Sequence, residues 1–187
     1  MVSLSSIQWS SSCTEILHRC AQYVPIKSWI SQVGSMTRAL HQLPDARVEL
    51  NLLNIDDDQR CSPLFGDNNI KSLGLGSIRE MQWVCNSQVW MYGVSFIPNV
   101  ILQKLNGLLS SQQSNPLGDI LFSDNIFTPC DFEFAVIDSS DPFYQRVTKD
   151  KADHKPDESL IARRRSFDLD RYSIIIIEVF FSDFLKI

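Results

Sequence analysis

A basic excess is missing from this chain. Its 187 residues carry 17 Lys and Arg against 22 Asp and Glu, a formal net charge of −5. Nucleic acids and anionic membrane surfaces both select positively charged partners, so neither is the expected main partner. A local basic patch for a small anion is still compatible with that balance. Histidine is scarce (His18, His41, His154), and the five cysteines (Cys13, Cys20, Cys61, Cys85, Cys130) form no C-x-x-C pair. No metal-ligand spacing results, and scattered thiols in odd number read as reduced, in a cytoplasmic compartment or a plastid stroma. No apolar run approaches the ~20 residues of a membrane span. No secretory signal opens the chain, which starts with a Ser-rich stretch instead.

What is present is ordinary for a globular domain: 44% hydrophobic and 21% charged residues. The length suits one domain over residues 1–187. Residues 1–14 read as a loose terminus. Apolar positions Ile26, Trp29, Ile30 and Val33 predict a short helix over 26–33, with Gly34 as its stop. Ser35 then caps a second helix over 36–42. Strands are expected over 47–54 and 77–85, and Asn86-Ser87 turns the latter back as a hairpin over 89–97. Helices follow over 99–109 and from Pro116, with Asn115 as cap. A strand over 131–137 comes next. Residues 138–160 are polar, charged and carry two prolines, and are read as a mobile insertion with too little apolar area to order itself. Strands over 162–169 and 173–181 close the chain. Short connections favour antiparallel pairing, so the class is α+β: a single antiparallel sheet with helices packed on it.

Two charges stand where the pattern demands apolar residues. In strand 77–85, alternation puts Arg79 on the face of Met81, Trp83 and Cys85. In the run Ile174-Ile-Ile-Ile-Glu178-Val-Phe-Phe, Glu178 shares a face with Ile174, Ile176 and Phe180. Buried charges need partners. Either the two pair with each other as a structural bridge, or they serve a pocket in which Arg79 binds an anion and Glu178 manages a proton or hydrogen bond. The helix starts at Met36 and Leu117 add unpaired amides that suit a carboxylate. Arg163, Arg164 and Arg165 could steer a dianion, but alternation splits them between faces, and they read rather as a solvated charge run. Trp83, Trp90 and Tyr92 read as core.

Four blocks resemble the chorismate lyase (chorismate–pyruvate lyase) family, in that family's order. Trp29 is followed by Ser35-Met36-Thr37-Arg38. Arg79-Glu80 leads to Trp90, Gly93 and Pro98. Pro116-Leu117-Gly118 precedes Leu121-Phe122, and Arg164-Arg165-Ser166 precedes the last strand with Glu178. The resemblance implies an antiparallel sheet with helical flaps over a buried ligand. It also implies conversion of chorismate to 4-hydroxybenzoate and pyruvate by a monomer, without metal or cofactor, as the entry to ubiquinone or plastoquinone head groups. By the same resemblance, Arg79 and the amides of Met36 and Leu117 hold the ring carboxylate, and Glu178 meets the ring hydroxyl.

Three positions depart from the family pattern: Val94, Asp119 and Pro129 stand where basic residues are common. Two other functions remain open on the same fold. One is a non-catalytic ligand-sensing domain like those of bacterial transcription regulators. The other is an enzyme that hydrolyses the enol ether of chorismate.

Overall fold

A computed structural model describes residues 7–61, 65, 74–104, 117–123, 126–151, 155 and 158–184. The expected helical residues 105–109 and the Asn115-Pro116 start lie outside that set. Seven strands form one antiparallel sheet: β1 Val48–Arg60, β2 Leu75–Cys85, β3 Gln88–Pro98, β4 Thr128–Pro129, β5 Glu133–Ile137, β6 Leu160–Leu169 and β7 Tyr172–Phe180. The order is β1-β2-β3-β7-β6-β4, with β5 also pairing along the outer edge of β6. The predicted hairpin forms between β2 and β3. Its turn residues Asn86 and Ser87 sit at φ 48° and 68°, the left-handed geometry of a tight hairpin turn.

Helices cover both faces. On the front lie α1 (Cys13–Arg19), a 3-10 turn over Ala21–Ile26, α2 (Lys27–Ile30) and α3 (Met36–Leu40), packed on Met81, Trp83, Met91 and Phe180. Farther along that face, α4 (Asn99–Lys104) and α5 (Leu117–Ser123) pack on Ile97, Phe167 and Ile174. On the back, α6 (Pro142–Thr148) packs on Tyr92, Val94, Ile175 and Ile177. The central strand β7 is covered on both sides, which explains its run of isoleucines. No described helix is long and apolar enough to cross a membrane.

Two expectations differ from this architecture. The first is the loose terminus. From residue 7 onward it is tied down: Ser10 exchanges backbone hydrogen bonds with Phe134 at 2.8 and 2.7 Å, and Trp9 lies under the Arg164 guanidinium. Ser12 caps α1 by accepting from the Glu15 amide at 3.2 Å, and Ser10 Oγ bridges the Ser12 amide, at 3.1 Å, to the Glu15 carboxylate, at 2.7 Å. The second is the 138–160 run, which holds α6. Asp141 caps it, Pro142 occupies its first turn, and Phe143, Tyr144 and Val147 are buried. Burying an apolar side chain contributes about 1.5–3 kcal/mol. Three such residues on one helix face are enough to order a segment that is polar on average. Tyr144 also donates to the Lys155 and Glu158 carbonyls at 3.3 and 3.0 Å, tying those two residues to the helix.

Candidate active site

The strand register places the polar front-face residues in two adjacent rows. Arg79 pairs with Ser95, Ser95 with Ile176, and Ile176 with Arg165. One step along, Met81 pairs with Gly93, Gly93 with Glu178, and Glu178 with Arg163. Paired residues on neighbouring strands share a face, so both rows point to the same side. Above them, between the two front-face clusters, lies a cavity enclosing about 680 Å³ of atom-free space, its mouth included. Phe122, Phe132, Phe167, Trp83 and Leu50 wall it, and the starts of α3 and α5 roof it.

Two glycines set its shape. A Cβ on Gly93 would stand 2.6 Å from the Trp83 ring, so glycine here lets that ring lie across β3. Trp83 Nε1 in turn donates to Thr37 Oγ1 at 2.9 Å and anchors α3 over the sheet. A Cβ on Gly118 would come 3.2 Å from Ser35 Oγ, so the starts of α3 and α5 approach closely there. Ser35 Oγ accepts from the Arg38 amide at 3.2 Å and donates to Asp119 Oδ1 at 3.1 Å.

Three guanidiniums and one carboxylate face the cavity: Arg79, Arg163, Arg165 and Glu178. Arg79 is buried, and burial lowers its pKa from the ordinary arginine value. The guanidinium stays charged at any accessible pH all the same. Arg163 Nε donates to Glu178 Oε2 at 2.6 Å, while its Nη1 donates to the carbonyls of Trp29, Ile30 and Gln32 at 3.3, 3.1 and 2.7 Å. Arg165 Nε donates to the Cys130 carbonyl at 2.6 Å and its Nη1 to the Val33 carbonyl at 2.9 Å. Phe132 lies between the two arginines, 4.6 Å from each guanidinium. The carbonyls at the end of α2 thus go to arginines on β6. This ends the helix at Ile30, ahead of the expected stop at Gly34, and positions the Gly34–Met36 segment over the cavity.

All four residues singled out from the sequence, Arg79, Glu178, Met36 and Leu117, line this one cavity. The alternative of an Arg79–Glu178 bridge is not what forms: the ion-pair partner of Glu178 is Arg163. Arg163 and Arg165 were missed, and the solvated charge run is corrected here. Arg163 and Arg164 are buried, at 2% and 7% exposure. Alternation sends 163 and 165 to the cavity, and only Arg164 to the back, where Glu133 accepts from it at 2.9 and 2.7 Å. The i, i+2 spacing of two arginines on a buried strand was the available signal. Trp90 and Tyr92 are core as expected, but Trp83 is also cavity wall. Among the described residues, no group of three or more His, Cys, Asp or Glu side chains is placed to hold a metal ion.

Comparison with known proteins bears on the family and the fold. A Coxiella burnetii protein named "Probable chorismate pyruvate-lyase" is 30% identical over 154 residues, covering 82% of this chain and 81% of its own. A Shewanella sp. (strain ANA-3) protein of the same name is 27% identical over 156 residues, covering 83% of this chain and 79% of its own. Among solved structures, the ligand-binding domain of a candidate GntR-family transcriptional regulator from Bordetella bronchiseptica shares the fold. Its TM-score is 0.51 at 14% identity, covering 73% of this chain and 84% of that one. The family model described as "Chorismate lyase" matches residues 4–186, and the chain belongs to that family.

Proposed function

We propose that this protein converts chorismate into 4-hydroxybenzoate and pyruvate. The observation that carries the reading is the cavity itself, with Arg79 and Glu178 on its floor. They stand two strands and one row apart, on the order of 12 Å between Cα atoms. That span suits a six-membered ring with a carboxylate at one end and a hydroxyl at the other. Arg79 and the amides of Met36 and Leu117 hold the ring carboxylate, and Glu178 accepts the hydrogen bond of the ring hydroxyl. Arg163, fixed by Trp29, Ile30 and Gln32, keeps the Glu178 carboxylate in place.

The reaction needs little covalent participation from the protein. The bond from the ring to the enolpyruvyl oxygen breaks with its electron pair on that oxygen, the ring carbon bearing the hydroxyl loses its hydrogen as a proton and the C–H pair completes the aromatic ring, and the departing enolate takes a proton on carbon to become pyruvate. A site that orients the dianion and surrounds the departing oxygen with fixed positive charge lowers that barrier. The family resemblance adds that no metal or cofactor takes part and that the product enters quinone head groups.

Incubation of purified protein with chorismate tests this. 4-Hydroxybenzoate and pyruvate should appear in equal amounts, in the presence of strong chelators, and 4-hydroxybenzoate should raise the melting temperature by mass action. A dihydroxy-diene acid in place of 4-hydroxybenzoate would mean enol-ether hydrolysis. Stabilisation by 4-hydroxybenzoate with no turnover would mean a ligand-sensing domain.

A further inference from the structure

The cavity has a second cationic pole. Arg79 and Arg165 occupy the two ends of one row, on β2 and β6, with Ser95 and Ile176 between them. Three strand spacings separate them, about 14 Å between Cα atoms. The β6 arginines are not equivalent. Arg163 is committed to Glu178 and to three carbonyls. Arg164 is committed to Glu133 on the other face. Arg165 has two backbone carbonyls as acceptors, through Nε and Nη1, and among the described residues no carboxylate pairs with it. Its Nη2 donates to none of the described residues, and its guanidinium is stacked against Phe132 and Phe167 at 4.6 and 5.4 Å. A guanidinium held this way, half-buried and with no carboxylate in ion-pair contact among the described residues, fits an anion that arrives with a ligand. Burial, and then the neighbouring Arg163, lower the Arg165 pKa, against smaller opposing pulls from Cys130, Asp131 and Glu178.

We propose that Arg165 forms a second anion subsite, so that the cavity takes cyclic dicarboxylates with one carboxylate at Arg79 and an ether-linked one at Arg165. The inference rests on the same cavity being the substrate site. It gives the enolpyruvyl carboxylate a partner that Val94, Asp119 and Pro129 do not supply. Val94 packs on the back face with Ile177, Asp119 is engaged with Ser35 and Arg38, and Pro129 pairs with Phe167 at the sheet edge.

The test uses two unreactive probes and the full chain. 3-(Carboxymethoxy)benzoate carries both carboxylates, and 3-methoxybenzoate carries only the ring carboxylate. By calorimetry the wild type should bind the dianion at least about tenfold more tightly, the gain of one charge-assisted contact. Arg165→Gln should bring the two probes to near parity while holding 3-methoxybenzoate affinity within about threefold. Arg165→Lys, which keeps the charge, should retain part of the preference. The proposal is overturned by parity in the wild type, by a preference that survives Arg165→Gln, or by equal loss of both probes in a folded Arg165→Gln. The last would make Arg165 only a clamp on the Cys130 and Val33 carbonyls. If Arg165→Gln does not fold, the wild-type ratio and Arg165→Lys decide alone. Because neither probe can react, a dianion preference without chorismate turnover would sink the lyase reading and leave the subsite standing. Turnover with probe parity would do the reverse.

Discussion

Arg79 and Glu80 are sequence neighbours, both buried, on opposite faces of β2. What surrounds each differs. On the back face, Glu80 accepts from Tyr92 Oη, from Arg146 through Nε at 3.0 Å and also Nη2, and from Asn54 Nδ2 at 3.4 Å. Burial alone would push its carboxyl up, but the hydrogen bonds from Arg146 and Tyr92 outweigh that and hold it below the ordinary range. That network is balanced in charge and packed under α6. On the front face, three guanidiniums meet one carboxylate around open space. Burial of charge is common to both sides. Only the side whose lining has more guanidiniums than carboxylates, with room for a ligand, points to chemistry.

The comparison breaks first at the front. Glu178→Gln should lower kcat by about 10²–10⁴ if the carboxylate manages a proton or the ring hydroxyl, with 4-hydroxybenzoate affinity much less affected. Arg163 keeps a neutral acceptor and its three carbonyls, so the accompanying stability loss should stay near 1–3 kcal/mol. Arg79→Ala should instead weaken 4-hydroxybenzoate and lower kcat/KM together, by roughly 2–5 kcal/mol. Steady-state kinetics, product titration and denaturant melts on both variants check this. A Glu178→Gln protein with near wild-type turnover would sink the catalytic assignment.

The back face should respond the other way. Arg146→Ala removes the main cation from Glu80 and leaves a buried carboxylate with Tyr92 and Asn54. Arg146 is itself 43% exposed, so the cost falls below that of a fully buried pair, about 1–3 kcal/mol in unfolding free energy. Turnover of the folded fraction should be unchanged. A variant as stable as wild type but slow with chorismate would show that the two faces are coupled. This guanidinium comes from α6, within the polar 138–160 run. Val94 lies directly across from Glu80 on β3 and carries no charge, and Arg146 supplies the cation from α6.

How much of this was legible depended on whether a local pattern fixes the environment. The hairpin was readable because Asn86-Ser87 tolerates the left-handed turn that joins two alternating strands. Arg79 and Glu178 were readable because each breaks an apolar face. The partner of Glu178 was not, because alternation fixes the face of a residue but not which strand lies beside it. Only the β6–β7 register brings Arg163 to Glu178. The Arg163–Arg165 run failed for a related reason, since a charge run looks solvated until both faces of its strand are known to be covered. For α6 the signals were present: Asp141-Pro142 is a cap and first turn, and Phe143 and Val147 are one turn apart. They were outvoted by the polar average of the surrounding run. Ser12 and Glu15 were likewise hidden in a Ser-rich stretch.

The smallest effect sharpens the comparison through pH. Glu80 has a folded pKa below its unfolded value of about 4.3. Its contribution is therefore fully present above that pH and is lost as pH falls through the folded pKa. Tyr92 is shifted the other way: burial, and then its hydrogen bond to Glu80, raise its pKa. Its contribution is present below an unfolded value of about 10 and fades as pH rises beyond it. Unfolding free energy should therefore fall off at both ends, and Glu80→Gln should flatten the acid limb and reduce the alkaline one. The front-face variant Arg165→Gln should leave both limbs unchanged, because neither Glu80 nor Tyr92 faces the cavity. Denaturant melts between about pH 3 and 11 read this directly, and an acid limb untouched by Glu80→Gln would show that other carboxylates govern it.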